Sequence, residues 1–146
     1  MATSKITAKF DCDVREIWDI VTDFGRYGWR SDLRDVKILD ENHFIEYSKS
    51  GYETKFSIKI MKFCERLELE IENENIKGHF VGLFFAKNNG SEIEFSEEIF
   101  AKKFFMKPFL AIYLKKQQRL YLSDLKKSVK FRVNFPPKRA RNLRLL

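Results

Sequence analysis

The sequence predicts an α+β fold: an antiparallel sheet of about seven strands wrapped around one long C-terminal helix, with two short helices after the first strand. Two periodicities and one length carry this. Apolar residues recur with a period of two from Val36 to residue 101, the signature of strands with one covered face. They then recur at helical spacing from Phe104 to Phe131. The chain has 146 residues, and single domains commonly run to roughly 100–150.

The elements follow in order. Lys5 to Phe10 reads as a strand with Ile6, Ala8 and Phe10 on one face. Asp13 with Glu16 three residues on forms a variant of the capping box. Behind it Val14, Ile17, Trp18 and Val21 make one apolar helical stripe that stops near Phe24-Gly25, where glycine suits a helix end. Arg26 to Asp35 is irregular or a short helical turn. Val36 and Ile38 open the next strand, and Asp40-Glu41-Asn42 turns it into Phe44 to Lys49. Ser50-Gly51 turns again into a run with Tyr52, Thr54, Phe56, Ile58 and Ile60 on one face. Leu67, Leu69 and Ile71 then alternate with Arg66, Glu68, Glu70 and Glu72, so that strand has one wet face. Ile76 to Lys87 is apolar on both faces. Asn88-Asn89-Gly90 is a hairpin turn, and Ile93, Phe95, Glu97 and Ile99 share a face of the strand after it. In the last helix Pro108 fits the first turn. Leu110, Tyr113, Leu114, Gln117, Tyr121, Leu125 and Val129 form its stripe, and Pro136-Pro137 forbids its continuation.

Composition bounds the class. With 44% hydrophobic and 34% charged residues, and 15 phenylalanines, the chain has a globular make-up and not a disordered or disulfide-rich one. No apolar run approaches the ~18 residues of a membrane span, and the N-terminus lacks the apolar segment of a signal peptide. The expectation is a soluble, cytoplasmic protein. Cys12 and Cys64 are far apart, as are His43 and His79, so neither a disulfide nor a metal site is implied.

The net charge of +7 is unevenly placed. Residues 132–146 carry Arg132, Lys138, Arg139, Arg141 and Arg144 and no acid, while the body holds 23 bases against 21 acids. A nucleic-acid-binding face is therefore not expected on the body. The chain divides into a domain at 1–131 and a basic tail at 132–146, expected to be disordered. The tail could contact nucleic acid or an acidic protein electrostatically, lie on an anionic membrane, or do nothing.

Three segments carry a family likeness: Val14-Arg15-Glu16-Ile17-Trp18-Asp19-Ile20-Val21-Thr22-Asp23-Phe24, Tyr27-Gly28-Trp29, and Gly90-Ser91-Glu92-Ile93-Glu94-Phe95. In sequence and order they resemble the helix-grip fold of the START/Bet v 1-like (SRPBCC) superfamily, in particular its polyketide cyclase/dehydrase-like branch. The resemblance covers about residues 3–130. Gly28 stands where the pattern has proline, Trp29 comes one residue early, and the basic tail has no counterpart.

The resemblance implies a cavity between sheet and long helix, suited to a hydrophobic small molecule, with no cofactor. Strand parity then gives Tyr47, Phe56, Ile58, Leu69, Phe80, Phe95 and Glu97 as lining. The helix adds Tyr113 and Gln117, and the segment after the first helix adds Tyr27 and Trp29. The apolar members could equally be plain core. Glu97 is a carboxylate on an otherwise apolar face. Either it is buried and needs a partner such as Gln117 or Tyr113, or the strand bulges or ends there and Glu97 pairs with Lys102 or Lys103. His79 reads as a surface or strand-packing residue, or as a helper to Glu97. Cys64 lies beside positive charge that could lower its pKa.

Binding or transport of a hydrophobic or aromatic molecule is the leading function. A cyclase, aromatase or dehydratase using Glu97, with Tyr47, Tyr113 or His79 as helpers, is the first alternative. A protein- or ribosome-interaction module of the same fold is the second.

Overall fold

A computed structural model describes residues 1–134, in which Asp13 begins the first helix as the capping pattern requires. Its carboxylate accepts the Arg15 N–H at 2.8 Å. Glu16 does not reach back to complete the box; its carboxylate lies 3.6 Å from Arg132 instead. The helix, α1 (Val14–Thr22), buries Val14, Ile17, Trp18, Ile20 and Val21.

Seven strands flank and follow it: β1 (Ala2–Phe10), β2 (Leu33–Asp40), β3 (His43–Ser48), β4 (Glu53–Lys62), β5 (Arg66–Glu72), β6 (Ile76–Lys87) and β7 (Gly90–Ala101). They form one antiparallel sheet in the order β1-β7-β6-β5-β4-β3-β2. β2 to β7 are a meander, and β1 completes the sheet against β7. β1 starts at Ala2, earlier than its alternation suggests, because Ala2 to Ser4 pair with Ile99 to Glu97. Leu67, Leu69 and Ile71 are buried, as are Ile93, Phe95 and Ile99, so one face carries the core. Gly90 makes the β6–β7 turn at φ +145°, and a Cβ there would sit 2.0 Å from the Phe10 carbonyl oxygen. Only glycine lets the end of β1 cross that turn.

A 3-10 turn (Phe104–Met106) leads into α2 (Lys107–Asn134). Its 28 residues make a rod about 42 Å long. The helix continues three residues past Phe131, so Arg132 belongs to it and faces α1. The remaining tail, residues 135–146, lies outside the described residues. α2 approaches β1, β7 and α1, not the full width of the sheet. Leu110 and Leu114 pack on Ala2 and Ile99. Leu125 and Val129 join the main core of α1, β5, β6 and β7.

The second short helix expected after α1 is not formed. Residues 23–32 are a series of turns, and their groups bond across the molecule. Ser31 gives both its N–H and its hydroxyl to the Asp124 carboxylate, each at 2.8 Å. The Asp32 carbonyl accepts the Lys49 N–H at 2.9 Å. Long-range bonds thus take the place of a helical ladder. Among the described residues no helix is long and apolar enough to cross a membrane.

Leu125 is fully enclosed where α2 meets α1 and the sheet. Leu125→Ala is expected to cost about 2–5 kcal/mol of stability, read from urea unfolding followed by circular dichroism.

Candidate functional site

Because α2 rests on β1 and β7, it leaves the inner faces of β3 to β6 to α1 and to other groups. Part of that space is filled by rings: Phe44 stacks on Phe24 at 4.2 Å and on Phe56 at 4.9 Å between centroids. Phe95 meets Phe80 and Phe84 edge-on. The rest is a cavity of about 220 Å³, roofed by the 23–32 turns and walled by α2.

Nine of the eleven residues expected to line a cavity do so: Tyr27, Trp29, Phe56, Leu69, Phe80, Phe95, Glu97, Tyr113 and Gln117. Tyr47 and Ile58 do not. Ile58 packs against the main core, next to a register shift between Ile58 and Ile60. Tyr47 lies on the other face of β3, with the Arg34 guanidinium 5.4 Å from its ring centre. The parity of β3 is the reverse of the expected one: Phe44, Glu46 and Ser48 line the cavity. With Tyr47 inward, Glu46 would face water; instead it faces the cavity, where it meets a buried cation.

That cation is Arg30, in the roof. Its Nε and Nη2 donate to the two Asp32 oxygens, both at 3.1 Å, and its Nη1 donates to Glu46 at 3.3 Å. The guanidinium lies 4.7 Å above the Tyr121 ring, and Trp29 abuts the same ring at 5.1 Å. Burial alone would lower the guanidinium's pKa, but Glu46, Tyr121 and Asp32 together raise it. Burial raises the Glu46 carboxyl, and Arg30 only partly opposes this. Burial likewise pushes up the Tyr121 hydroxyl, which stays neutral. Arg30, Asp32, Glu46, Tyr121 and Asp124 were not anticipated as site residues. Tyr121 stood in the helical stripe, and Arg30 follows Trp29 directly. No local pattern marks an arginine that turns inward.

Glu97 pairs with Phe80 across the β6–β7 ladder and points into the cavity. β7 runs on to Ala101, so the strand does not end at Glu97. Lys102 pairs with Glu72 at 2.7 Å. Gln117 and Tyr113 line the same cavity, yet among the described residues Glu97 makes no hydrogen bond or ion pair. Burial, then repulsion from Glu46, raises its pKa to about 7, with Arg30 opposing. At neutral pH this carboxyl can therefore both donate and accept a proton.

Two other residues lie elsewhere. His79 is on the outer face, its Nδ1 2.8 Å from Glu70 and its Nε2 3.0 Å from Glu68. Cys64 sits in the β4–β5 turn, where burial raises its thiol pKa despite the nearby Arg15. The lowering suggested by the sequence does not occur.

No protein-family model matches the sequence, and no curated protein matches it. Solved structures do. A START superfamily protein from Mycobacterium smegmatis superposes with a TM-score of 0.80 at 10% identity, covering 89% of this chain and 98% of that one. The Zhui aromatase/cyclase from Streptomyces sp. R1128 gives 0.80 at 8% identity, covering 90% and 94%. The di-domain ARO/CYC BexL from the BE-7585A biosynthetic pathway gives 0.77 at 10% identity, over 92% of this chain and 48% of that one. The chain has the START-like, polyketide-cyclase-like fold.

In this START-like frame the acid cluster has measurable consequences. A carboxyl whose pKa rises on folding stabilises the protein at low pH and loses that contribution as pH climbs through the folded value. For Glu97 the loss runs from the ordinary carboxylate range up through about 7. Wild-type stability should fall over that interval by roughly 3 kcal/mol from this group. Glu97→Gln should remove that slope, as read from unfolding midpoints across pH. Arg30→Met strands Glu46 and should cost about 3–5 kcal/mol near neutrality. The cost should shrink as pH falls, because burial already favours the protonated form of the Glu46 carboxyl; chemical denaturation at neutral and at mildly acidic pH checks it.

Proposed function

We propose that the protein binds a hydrophobic or aromatic small molecule in this cavity, as a cytoplasmic carrier or sensor, and holds the molecule's polar group against Glu97. The observation that carries the reading is one unpartnered carboxyl at the wall of an aromatic-lined space. Phe56, Phe80 and Phe95 offer apolar contact, and Trp29 and Tyr121 close the roof side. A cavity-facing carboxyl with no hydrogen-bond partner among the described residues is a vacant hydrogen-bonding position. A guest with a hydroxyl would donate to the ionised form, and one with a carbonyl would accept from the protonated form. A purely aliphatic guest would leave the group unsatisfied, so one polar function on an apolar body is the matching chemistry.

A second reading rests on the same carboxyl. A group with a pKa of about 7 suits general acid/base work at neutral pH, and two of the similar solved structures are an aromatase/cyclase and a di-domain ARO/CYC. In that case the guest is a substrate and Glu97 moves its proton.

Native mass spectrometry of the full chain as purified from cells, followed by solvent extraction, tests both. The binding reading expects a co-purifying apolar molecule with one polar group, whose affinity drops about tenfold in Glu97→Leu, the loss of one hydrogen bond. The catalytic reading expects Glu97→Gln to hold the molecule and leave it unconverted. A clean mass, together with no unfolding shift from a panel of aromatic alcohols and ketones, would overturn both.

A further inference from the structure

The first turns of α2 and the 3-10 turn before it are apolar where none of the described residues covers them. Phe104, Phe105, Phe109 and Ile112 are 80%, 61%, 69% and 70% exposed. The helix spends Leu110 and Leu114 on the sheet. Phe109 and Ile112, three residues apart, therefore share a second apolar face pointing to solvent. Exposed aromatics gathered in one place mark an interaction surface.

Charge narrows the partner. From Lys102 to Ser123 the chain carries Lys102, Lys103, Lys107, Lys115, Lys116 and Arg119 and no acid. Of these only Lys102 has a carboxylate partner among the described residues, Glu72. A second copy docked on this patch would bring two lysine rims of one sign together, which opposes self-association. Phenylalanine and isoleucine offer no directional hydrogen bonds, whereas lysine stems can reach past an apolar contact to charges beside it. A fluid apolar layer beneath negative headgroups meets both demands at once.

We infer that this patch docks the protein on an anionic lipid bilayer, with Phe104, Phe105, Phe109 and Ile112 entering the interface and the lysines contacting headgroups. The patch adjoins the cavity mouth. Tyr113, next to Ile112, lines the cavity while remaining 48% exposed, and Tyr52 does the same at 41%. The Lys102 N–H bonds the Asn75 carbonyl at 2.8 Å, which fixes the start of the patch to the β5–β6 turn whose Asn73 and Ile76 line the same mouth. Docking stands whatever the cavity holds, and its test needs no cavity ligand.

The test is flotation of the full chain with vesicles of phosphatidylcholine, alone or with about 30% phosphatidylglycerol. Wild type should float with the anionic vesicles only. Phe105→Glu with Phe109→Glu should cut binding at least about tenfold with circular dichroism unchanged. Arg139→Ser with Arg141→Ser and Arg144→Ser, which leaves the patch intact, should retain most of it. If the glutamate pair misfolds, Phe109→Trp replaces it: its fluorescence should be quenched by lipids brominated on the acyl chains, beyond the quenching of wild type. Wild type that ignores anionic vesicles overturns the inference. So does a folded glutamate pair that floats like wild type, or a Trp at 109 that brominated lipid leaves untouched. Dimerisation that the glutamate pair abolishes would assign the patch to a second copy instead.

Discussion

One helix cannot cover seven strands. Six inter-strand spacings amount to about 29 Å, against a helix roughly 10 Å across. α2 settles the mismatch by sitting on β1 and β7 and leaving the inner side of β3 to β6 to other groups. Those groups are stacked phenylalanines, α1 and the turns at 23–32. The cavity is what remains after they have done so, and its position follows from where the helix sits.

The same mismatch explains the buried charges. The roof is made of turns, whose polar groups need partners once they are pressed against a sheet. Asp124 serves Ser31 from α2, and Arg30 serves as the hub for Asp32 and Glu46. An ion pair of this sort contributes little net stability, because desolvation offsets most of the attraction. Its effect is on geometry: it fixes the roof over β3 and sets which face of β3 looks inward. Glu97 is left outside the pairing, and burial, then the field of Glu46, raises its proton affinity.

Much of the fold was legible because most strands have one wet face. Arg66 to Glu72 alternates cleanly, Gly90 marks its turn, and Pro108 marks the start of the last helix. What resisted was set by contacts distant in sequence. Tyr47 and Glu46 exchange faces because Arg30, sixteen residues earlier, neutralises a carboxylate inside. The second short helix dissolves into turns because Ser31 finds its partner 93 residues away. Of the site, the aromatic lining and Glu97 could be read from parity. The cluster around Arg30 could not, since its charged members look like ordinary surface residues until the chain folds.

The outer edge of the sheet has a consequence for how copies of the chain meet. Among the described residues β2 has one neighbour, β3, and its other side is a free edge. Exposed edges invite another strand to add, which is a route to aggregation. Here the ladder shifts register between Leu33 and Asp35 and again between Ile38 and Asp40. Only Asp35 to Ile38 offers a regular template, and Arg34, Asp35, Lys37 and Asp40 bring charge to the edge. A foreign strand could pair over about one turn's worth of bonds before losing register, too few to hold it. The edge can stay open to water without a covering element because its own irregularity makes it a poor template.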